Sequence, residues 1–520
     1  MTTRQIMDNL TLWRGLAAVV LLVGTWATIV RFTQGLGAAT NLSDGFPWGI
    51  WIGFDVLVGV GVAAGGFTLT AAVHLFNLER FRPIIRPTVL TAFLGYLMVI
   101  IGLLFDLGRP YRVWHPIIMW NPHSVMFEVA WCVTLYTTVL ALEFSPMVLE
   151  RFKLRRALHI VEAIAIPTVI LGVLLSTLHQ SSLGTLFVIV PDKLHGLWYS
   201  PLLPVFFFVS AIAAGLAMVI VESSLSSYAF GRRLELDLLQ QLGRVIVVVL
   251  ALYLAIKVQD MLHRDAFGLI DPTTPEGFLF LVEVVFGAVV PMLLLAVPAV
   301  RADRGGLLCA ALLVVLGFVL NRLNVSITGI QRAMAADYFP SVLEVSVTGA
   351  LVVGGFIAFA MAVRFLPVFP ESSPEHDRPF SSLKPSRAVV LASRGSLVAL
   401  AGVLILGLAV LDPSVASKPV VTAAEPTAIE FVQLRLPEAL TFARSEESPG
   451  PVEFSHESHV DAARPSCAPC HAGAMPIIPT GAAPTLTGEV LHGTTACGAC
   501  HNGEQAFSID EECGACHVEE

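Results

Sequence analysis

Apolar residues in this chain run together rather than alternate. Eleven stretches stand out, with cores at 12–32, 48–75, 88–107, 124–144, 158–178, 203–222, 243–263, 277–298, 305–323, 341–366 and 388–411. A hydrocarbon layer about 30 Å thick takes roughly 20 residues of helix. Backbone groups in lipid must be satisfied within their own segment, so each stretch predicts a spanning helix. The expected fold class is therefore an all-α membrane protein of about eleven helices. The first stretch does not read as a cleaved leader, because Arg31 and Phe32 stand where small residues would precede cleavage. Gly59, Gly61, Gly65 and Gly66 fall inside the second stretch. No strand precedes them, so close helix packing is the reading rather than a nucleotide loop.

Arginine and lysine crowd alternate loops. Arg80, Arg82 and Arg86 follow the second stretch, and Arg151, Lys153, Arg155 and Arg156 follow the fourth. Arg232 and Arg233, Arg301 and Arg304, then Arg378, Lys384 and Arg387 continue the series. Positive loops stay inside, so the N-terminus is expected in the cytoplasm. Eleven crossings then leave the C-terminal tail outside the inner membrane, on the periplasmic side.

Composition divides the chain in two. Charged residues are 14% of the whole, against about 25% in a soluble domain. That excludes a soluble enzyme, a disordered chain and a nucleic-acid binder. The net charge of −9 lies entirely in the tail, where Val452–Glu520 holds ten acidic residues and one basic one. Six of the eight cysteines are there too. Between the parts, residues 412–451 are polar and punctuated by proline, as a tether is, with a short helix expected near 436–444.

Ionisable residues inside a membrane are costly and usually functional. Asp55, Asp106, Arg109, His115, Glu128, His179, Lys257, Asp260, Glu283, Arg322 and Glu344 fall toward the outer ends of the stretches. With Trp114, Trp120 and Trp198 as a roof they suggest a pocket for a quinone head group, menaquinone or ubiquinone. Such a pocket needs a donor at each carbonyl and a carboxylate or histidine to move protons. Glu79, Glu143, Glu162 and Glu222 lie toward the inner side and read as solvated loop edges. A haem b is not expected, because His74 and His159 sit at inner ends and His179 at an outer one.

The tail carries three copies of C-x-x-C-H: Cys467-Ala-Pro-Cys470-His471, Cys497-Gly-Ala-Cys500-His501 and Cys513-Gly-Ala-Cys516-His517. This is the pattern of covalent c-type haem attachment, with two thioethers and an adjacent axial histidine. Cys497, Cys500, Cys513 and Cys516 have zinc-ribbon spacing, but the third pair and the three trailing histidines argue for haem. His456, His459 and His492 are three further histidines, enough to make three irons bis-histidine and closed to substrate. So short a tail cannot bury a large apolar core, and haem must supply it.

The runs RPTVLTAFLGYLMVIIGLLFDLGRPYRVWHP, NPHSVMFEVAWCVTLYTTVLALEF and HQSSLG resemble the NrfD/polysulfide-reductase membrane subunits, and among them the HybB-type subunits of nickel–iron hydrogenases. The resemblance spans roughly 10–370. It implies two four-helix bundles with flanking helices, a quinone site near the outer face and a docked iron–sulfur subunit. Asp106, Arg109, His115, Glu128 and His179 are the candidate quinone-site residues carried over by position. The tail, from VEFSHESHV through LHG to the last C-x-x-C-H, resembles three-haem class III cytochromes of the c3/c7 kind. That resemblance implies His456 paired with His471, His492 with His501, and His459 with His517. Such cytochromes are rich in lysine, whereas this tail has none, so a basic docking partner is expected.

The domain plan is thus 1–370 quinone-interacting membrane domain, 371–411 cytoplasmic loop and final helix, 412–451 linker, and 452–520 haem domain. The expected function is a quinone-linked oxidoreductase subunit with three haem c groups. Its expected partners are an iron–sulfur subunit, a catalytic subunit of hydrogenase or molybdopterin type, and a soluble cytochrome. The alternative is a membrane anchor whose haems only relay electrons.

Overall fold

The computed structural model describes residues 3–369 apart from 44, 233 and 335–337. In the tail it describes 439–442, 448–460, 471, 491–492, 496–504, 506–509 and 513–517. The chain divides into two compact units, Met1–Lys418 and Pro419–Glu520.

Among the described residues, ten helices are long and apolar enough to cross a membrane: α1 Arg14–Gln34, α2 Trp51–His74, α3 Glu79–Asp106, α4 Val125–Arg151, α5 Ala165–Val188, α6 Leu203–Phe230, α7 Leu236–His263, α8 Pro275–Ala296, α9 Arg304–Met334 and α10 Val342–Phe365. They answer to the first ten apolar stretches. The eleventh, 388–411, lies outside the described residues.

Helices α2 to α5 close into one four-helix ring and α6 to α9 into another, while α1 and α10 pack on each other and on α3. The first bundle's core gathers Val60, Tyr96, Tyr136 and Phe187 with Phe207 of α6. The second gathers Leu216, Ile246, Leu295 and Ala310. The faces turned outward stay apolar, as at Leu174, Val248 and Phe356, because lipid rather than water surrounds them.

Two boundaries differ from expectation. Residues 155–163 form a separate short helix, Arg155–Ala163. Its Arg155, Arg156, His159 and Glu162 suit a headgroup layer rather than hydrocarbon. The fifth span therefore runs later than expected, and His179 lies nine residues before its end, about 13 Å inside. Its serines cause no break, and the helix runs unbroken from Ala165 to Val188. Helix α9 likewise continues through a π-helical turn at Asn324–Thr328, which places Arg322 well inside the helix.

The glycine run does pack helices. A Cβ on Gly65 would stand 2.5 Å from the Gly215 carbonyl oxygen of α6, and one on Gly66 2.6 Å from the Ala92 Cβ of α3. Only hydrogen fits at the first, because backbone cannot yield as a side chain can.

In the tail unit, β1 Leu440–Phe442 pairs antiparallel with β2 Val452–Phe454. Where a short helix is expected near 436–444, the described residues Leu440–Phe442 form a strand. Leu-Thr-Phe is β-favouring and its ladder partner, Val-Glu-Phe, stands ten residues on. The cysteine motifs form single helical turns: the His501 N–H bonds to the Cys497 carbonyl and the His517 N–H to the Cys513 carbonyl, both at 3.0 Å. Cys467 and Cys470 lie outside the described residues.

Replacing Gly65 with valine should cost about 1–3 kcal/mol by overpacking. Thermal unfolding of the purified protein in detergent should show the loss. Gly354→Ala is the control, since a Cβ there meets nothing within 4 Å.

Candidate functional site

Charges that cannot reach water gather in three places in the membrane unit. At the ends of α1, α3 and α10, Arg31 donates to the Phe105 and Leu107 carbonyls, each at 2.7 Å. Asp106 beside it has one buried oxygen without a partner. Fully buried Glu344 accepts the Tyr338 hydroxyl at 2.6 Å and the backbone N–H groups of Asn41 and Ser341. Burial and the neighbouring Glu344 carboxylate hold the Tyr338 phenol above its usual range, so it stays a donor.

The second place is the first bundle. Helix α4 starts on a Ser124 cap, which sets Glu128 in its first turn. The Ser182 hydroxyl of α5 donates to Glu128 at 2.6 Å. One turn deeper, fully buried His179 shares a 2.9 Å hydrogen bond between its Nδ1 and the Tyr96 hydroxyl of α3. Tyr96 in turn meets the Tyr136 ring edge-on at 4.7 Å. The Nε2 of His179 and both amide atoms of Gln180 are buried with no partner among the described residues.

The third place is the second bundle. Glu283 accepts from Trp198 (2.9 Å), Asn321 (2.8 Å), Asn324 (2.9 Å) and Lys257 (3.3 Å). Asp260 takes Ser200 at 2.7 Å and Arg264 at 2.8 Å. The Arg322 guanidinium lies over the rings of Phe207 and Phe318 at 3.7 and 4.3 Å. Glu283 and Asp260 are answered from within this cluster, whereas Arg322 Nε is buried with no partner among the described residues.

The five carried-over candidates therefore do not form one pocket. Glu128 and His179 come together on α5. Asp106 belongs with Arg31 and Glu344. Arg109 is exposed on the loop after α3, and His115 meets exposed Trp114 there edge-on. The tryptophan roof is not found: Trp114 and Trp120 are exposed, while Trp198 is buried on Glu283. Glu79 and Glu162 are exposed as expected, but Glu222 is buried. Tyr96 and Gln180 were missed, because one polar residue in an apolar run gives no sign of which face it occupies. His74 and His159 are exposed.

In the tail unit, histidine rings stand in pairs. His456 and His471 are 6.4 Å apart between centres with planes at 9°, His459 and His501 6.0 Å at 57°, and His492 and His517 6.4 Å at 87°. A metal–imidazole bond of about 2.0 Å plus about 1.1 Å from nitrogen to ring centre puts two rings across one iron about 6.2 Å apart. The residues present thus fit axial ligation of haem. The first pairing is the expected one. The other two are exchanged, since His459 meets His501 and His492 meets His517. The reason is local: the His517 backbone bridges Val452 and its Nδ1 donates to the Gly450 carbonyl at 2.8 Å, so the β1–β2 hairpin holds it away from His459. Nδ1 of His459 likewise donates to the Ser455 carbonyl at 3.0 Å. Both bonds keep the proton off Nε2, the ligating nitrogen. Among the described residues no three His, Cys, Asp or Glu side chains converge as a zinc cage would.

Known proteins agree with both halves. The family model described as polysulphide reductase, NrfD, matches residues 38–334. This chain belongs to the NrfD family. A second model, cytochrome c7 and related cytochrome c, matches residues 452–518, so the NrfD unit is followed by a cytochrome c7 domain. A Nitratidesulfovibrio vulgaris protein is 42% identical over 366 residues, which cover 67% of this chain and 94% of the relative. The probable Ni/Fe-hydrogenase 2 b-type cytochrome subunit of Escherichia coli is 33% identical, over 66% of this chain and 88% of its own. The menaquinone reductase integral membrane subunit of N. vulgaris is 26% identical, over 71% and 94%. The NrfD family and the ten apolar helices make this a multi-pass membrane protein.

Lys257→Met strands the Glu283 carboxylate and should cost about 3–5 kcal/mol, as broken buried pairs do. Adding Glu283→Gln should restore part of it. Unfolding midpoints of the NrfD-family chain and its two variants in detergent check both expectations.

Proposed function

We propose that this chain is the quinone-reacting and haem-carrying membrane subunit of a respiratory oxidoreductase. It exchanges electrons between a membrane quinone, menaquinone or ubiquinone, and partners outside the inner membrane through three covalently bound c haems. The observation that carries the reading is one polypeptide joining an NrfD unit to paired imidazoles spaced for iron. The relatives named for menaquinone reductase and for hydrogenase support a quinone and a separate catalytic subunit. An iron–sulfur subunit, with a hydrogenase or molybdopterin partner, completes the assembly, and a soluble cytochrome is a further acceptor or donor. The arginine-rich alternate loops support a cytoplasmic N-terminus and a periplasmic haem domain. The domain plan follows, with membrane residues 1–370, a loop and last helix over 371–411, a linker over 412–451 and a haem domain over 452–520, the linker's strand Leu440–Phe442 pairing with Val452–Phe454.

Bound at these sites, haem supplies single-electron transfer and, with both axial positions filled, no substrate binding. The chain's own residues do the rest. Cys467 with Cys470, Cys497 with Cys500 and Cys513 with Cys516 would supply the thioether sulfurs. His471, His501 and His517, together with His456, His459 and His492, would hold the irons. In the membrane unit, oxidation of a quinol releases two electrons and two protons. Glu128, near the start of α4 and bonded only to Ser182 among the described residues, accepts a proton. His179 Nε2 is left free by the Nδ1–Tyr96 bond and faces the quinone oxygen. Asp106, with its unpartnered oxygen, lies apart beside Arg31 and takes the second proton by relay rather than from the quinol itself. Arg109 and His115, beyond the end of α3, meet the quinone head group from the outer side in this reading.

Anaerobic mixing of the oxidised full chain with a soluble quinol, followed at the haem α-band, tests the reading. Haem reduction should be rapid, and Glu128→Gln should slow it by about 10²-fold, the size of a lost general base. Reduction by dithionite but not by quinol would overturn it in favour of a membrane anchor.

A further inference from the structure

The middle of the membrane unit holds a second polar feature, independent of any quinone. Helix α2 is interrupted at Ala63–Ala64. The Ala64 N–H turns to the Gly61 carbonyl and the Gly66 N–H to the Ala63 carbonyl, where a regular helix would use Val60 and Val62. The break lies twelve residues from Trp51 and ten from His74, roughly 15–18 Å from either end. Broken backbone at such depth is tolerated only when buried in protein or lining a cavity. Both conditions hold. Ala63 and Ala64 are buried, and a cavity of about 10 Å³ adjoins them, walled by Val62, Gly66, Thr88, Thr91, Gly215 and Glu222 among others.

Two atoms of that wall are unsatisfied. Glu222 Oε2 and Thr91 Oγ1 are buried with no partner among the described residues. Glu222 is 7% exposed. Its carboxylate accepts the Ser226 hydroxyl at 2.7 Å and has the Ser223 side chain beside it as well, while among the described residues no ion pair reaches it. Thr88 is spent on the Ile84 carbonyl, so it does not answer Glu222. Gly65 and Gly215 bring α2 and α6 so close that no side chain plugs the gap.

We propose that the break in α2 is a binding site for one small monovalent cation, a hydrated proton or Na⁺, held by Glu222, Thr91 and the released Val62 carbonyl. The guest must be small, because the space is about that of one water. It must be an oxygen-seeking cation, because the wall offers oxygen atoms and one carboxylate. A divalent ion is excluded by the same donor set, which lacks the ligand number and charge that Ca²⁺ or Mg²⁺ takes. Glu222 lies eight residues before Phe230, the end of α6 on the Arg232 side, so the guest enters from that face. This reading also accounts for a carboxylate kept at a depth where an idle one would be costly.

The test is infrared difference spectroscopy of the full chain in nanodiscs during pH titration, in Na⁺ and in choline buffers. A carboxylic-acid C=O band should titrate in the wild type, vanish in Glu222→Gln and shift in Thr91→Val. A titration midpoint at least one pH unit lower in Na⁺ identifies Na⁺ as the guest, and equal midpoints identify the proton. Spectra of wild type and Glu222→Gln that superimpose in both buffers would overturn the site. Should Glu222→Gln fail to fold, an unshifted band in Thr91→Val would overturn it equally. Quinol-driven haem reduction is recorded alongside, so failure of the quinone reading is seen separately.

Discussion

Two imidazoles facing each other about 6 Å apart are the interaction on which the tail depends. The described tail carries only two three-residue strands and single helical turns, and no hydrophobic core cluster is formed by its described residues. What gathers there instead are histidines in pairs, each separation matching that across one iron. The hairpin fixes one member of a pair through Gly450 and Val452. The segment just before the cytochrome match thus holds one of the paired histidines in place.

The membrane unit answers a different constraint, because lipid lends no hydrogen bonds and charges must be met from inside. Glu283 shows the complete solution, with four donors on one carboxylate. Glu128, His179 and Asp106 show incomplete ones, and chemistry is assigned to those. A group already fully bonded gains nothing from a substrate, whereas an open Nε2 or carboxylate oxygen does. Helix breaks follow the same logic. The π-helical turn Trp51–Val56 contains Asp55, bonded to Thr348, and the turn Asn324–Thr328 contains Asn324, bonded to Glu283. Each turn places a buried polar side chain where a regular helix would not.

Much of this was legible in the sequence. Ten apolar runs became ten helices, and alternate arginines organised their loops. The family likeness lay in particular runs, FDLGRPYRVWHP and HQSSLG among them. The three C-x-x-C-H motifs announced haem without help from the fold. Contact partners across helices were not legible. Nothing in the run around Tyr96 says that it meets His179, since both sit in segments apolar enough to hide their registers. The end of the fifth span was misplaced because Arg155–Ala163 is apolar on one side only. The exchanged pairing of His459 and His492 depends on a strand contact more than fifty residues away in sequence, between Val452 and His517, which motif order does not encode.

The account rests most heavily on three closed bis-histidine irons with distinct ligand planes. Parallel planes split the two iron orbitals that bind imidazole, and perpendicular planes leave them nearly equal, so the two arrangements give different ferric signals. Low-temperature electron paramagnetic resonance of the oxidised full chain should integrate to three low-spin haems. A rhombic signal should belong to the His456–His471 pair and a broad, strongly anisotropic one to His492–His517. In His492→Ala the broad signal alone should be replaced by a high-spin one. Fewer than three low-spin haems in the wild type, or a His492→Ala spectrum that keeps the broad signal, would contradict the account.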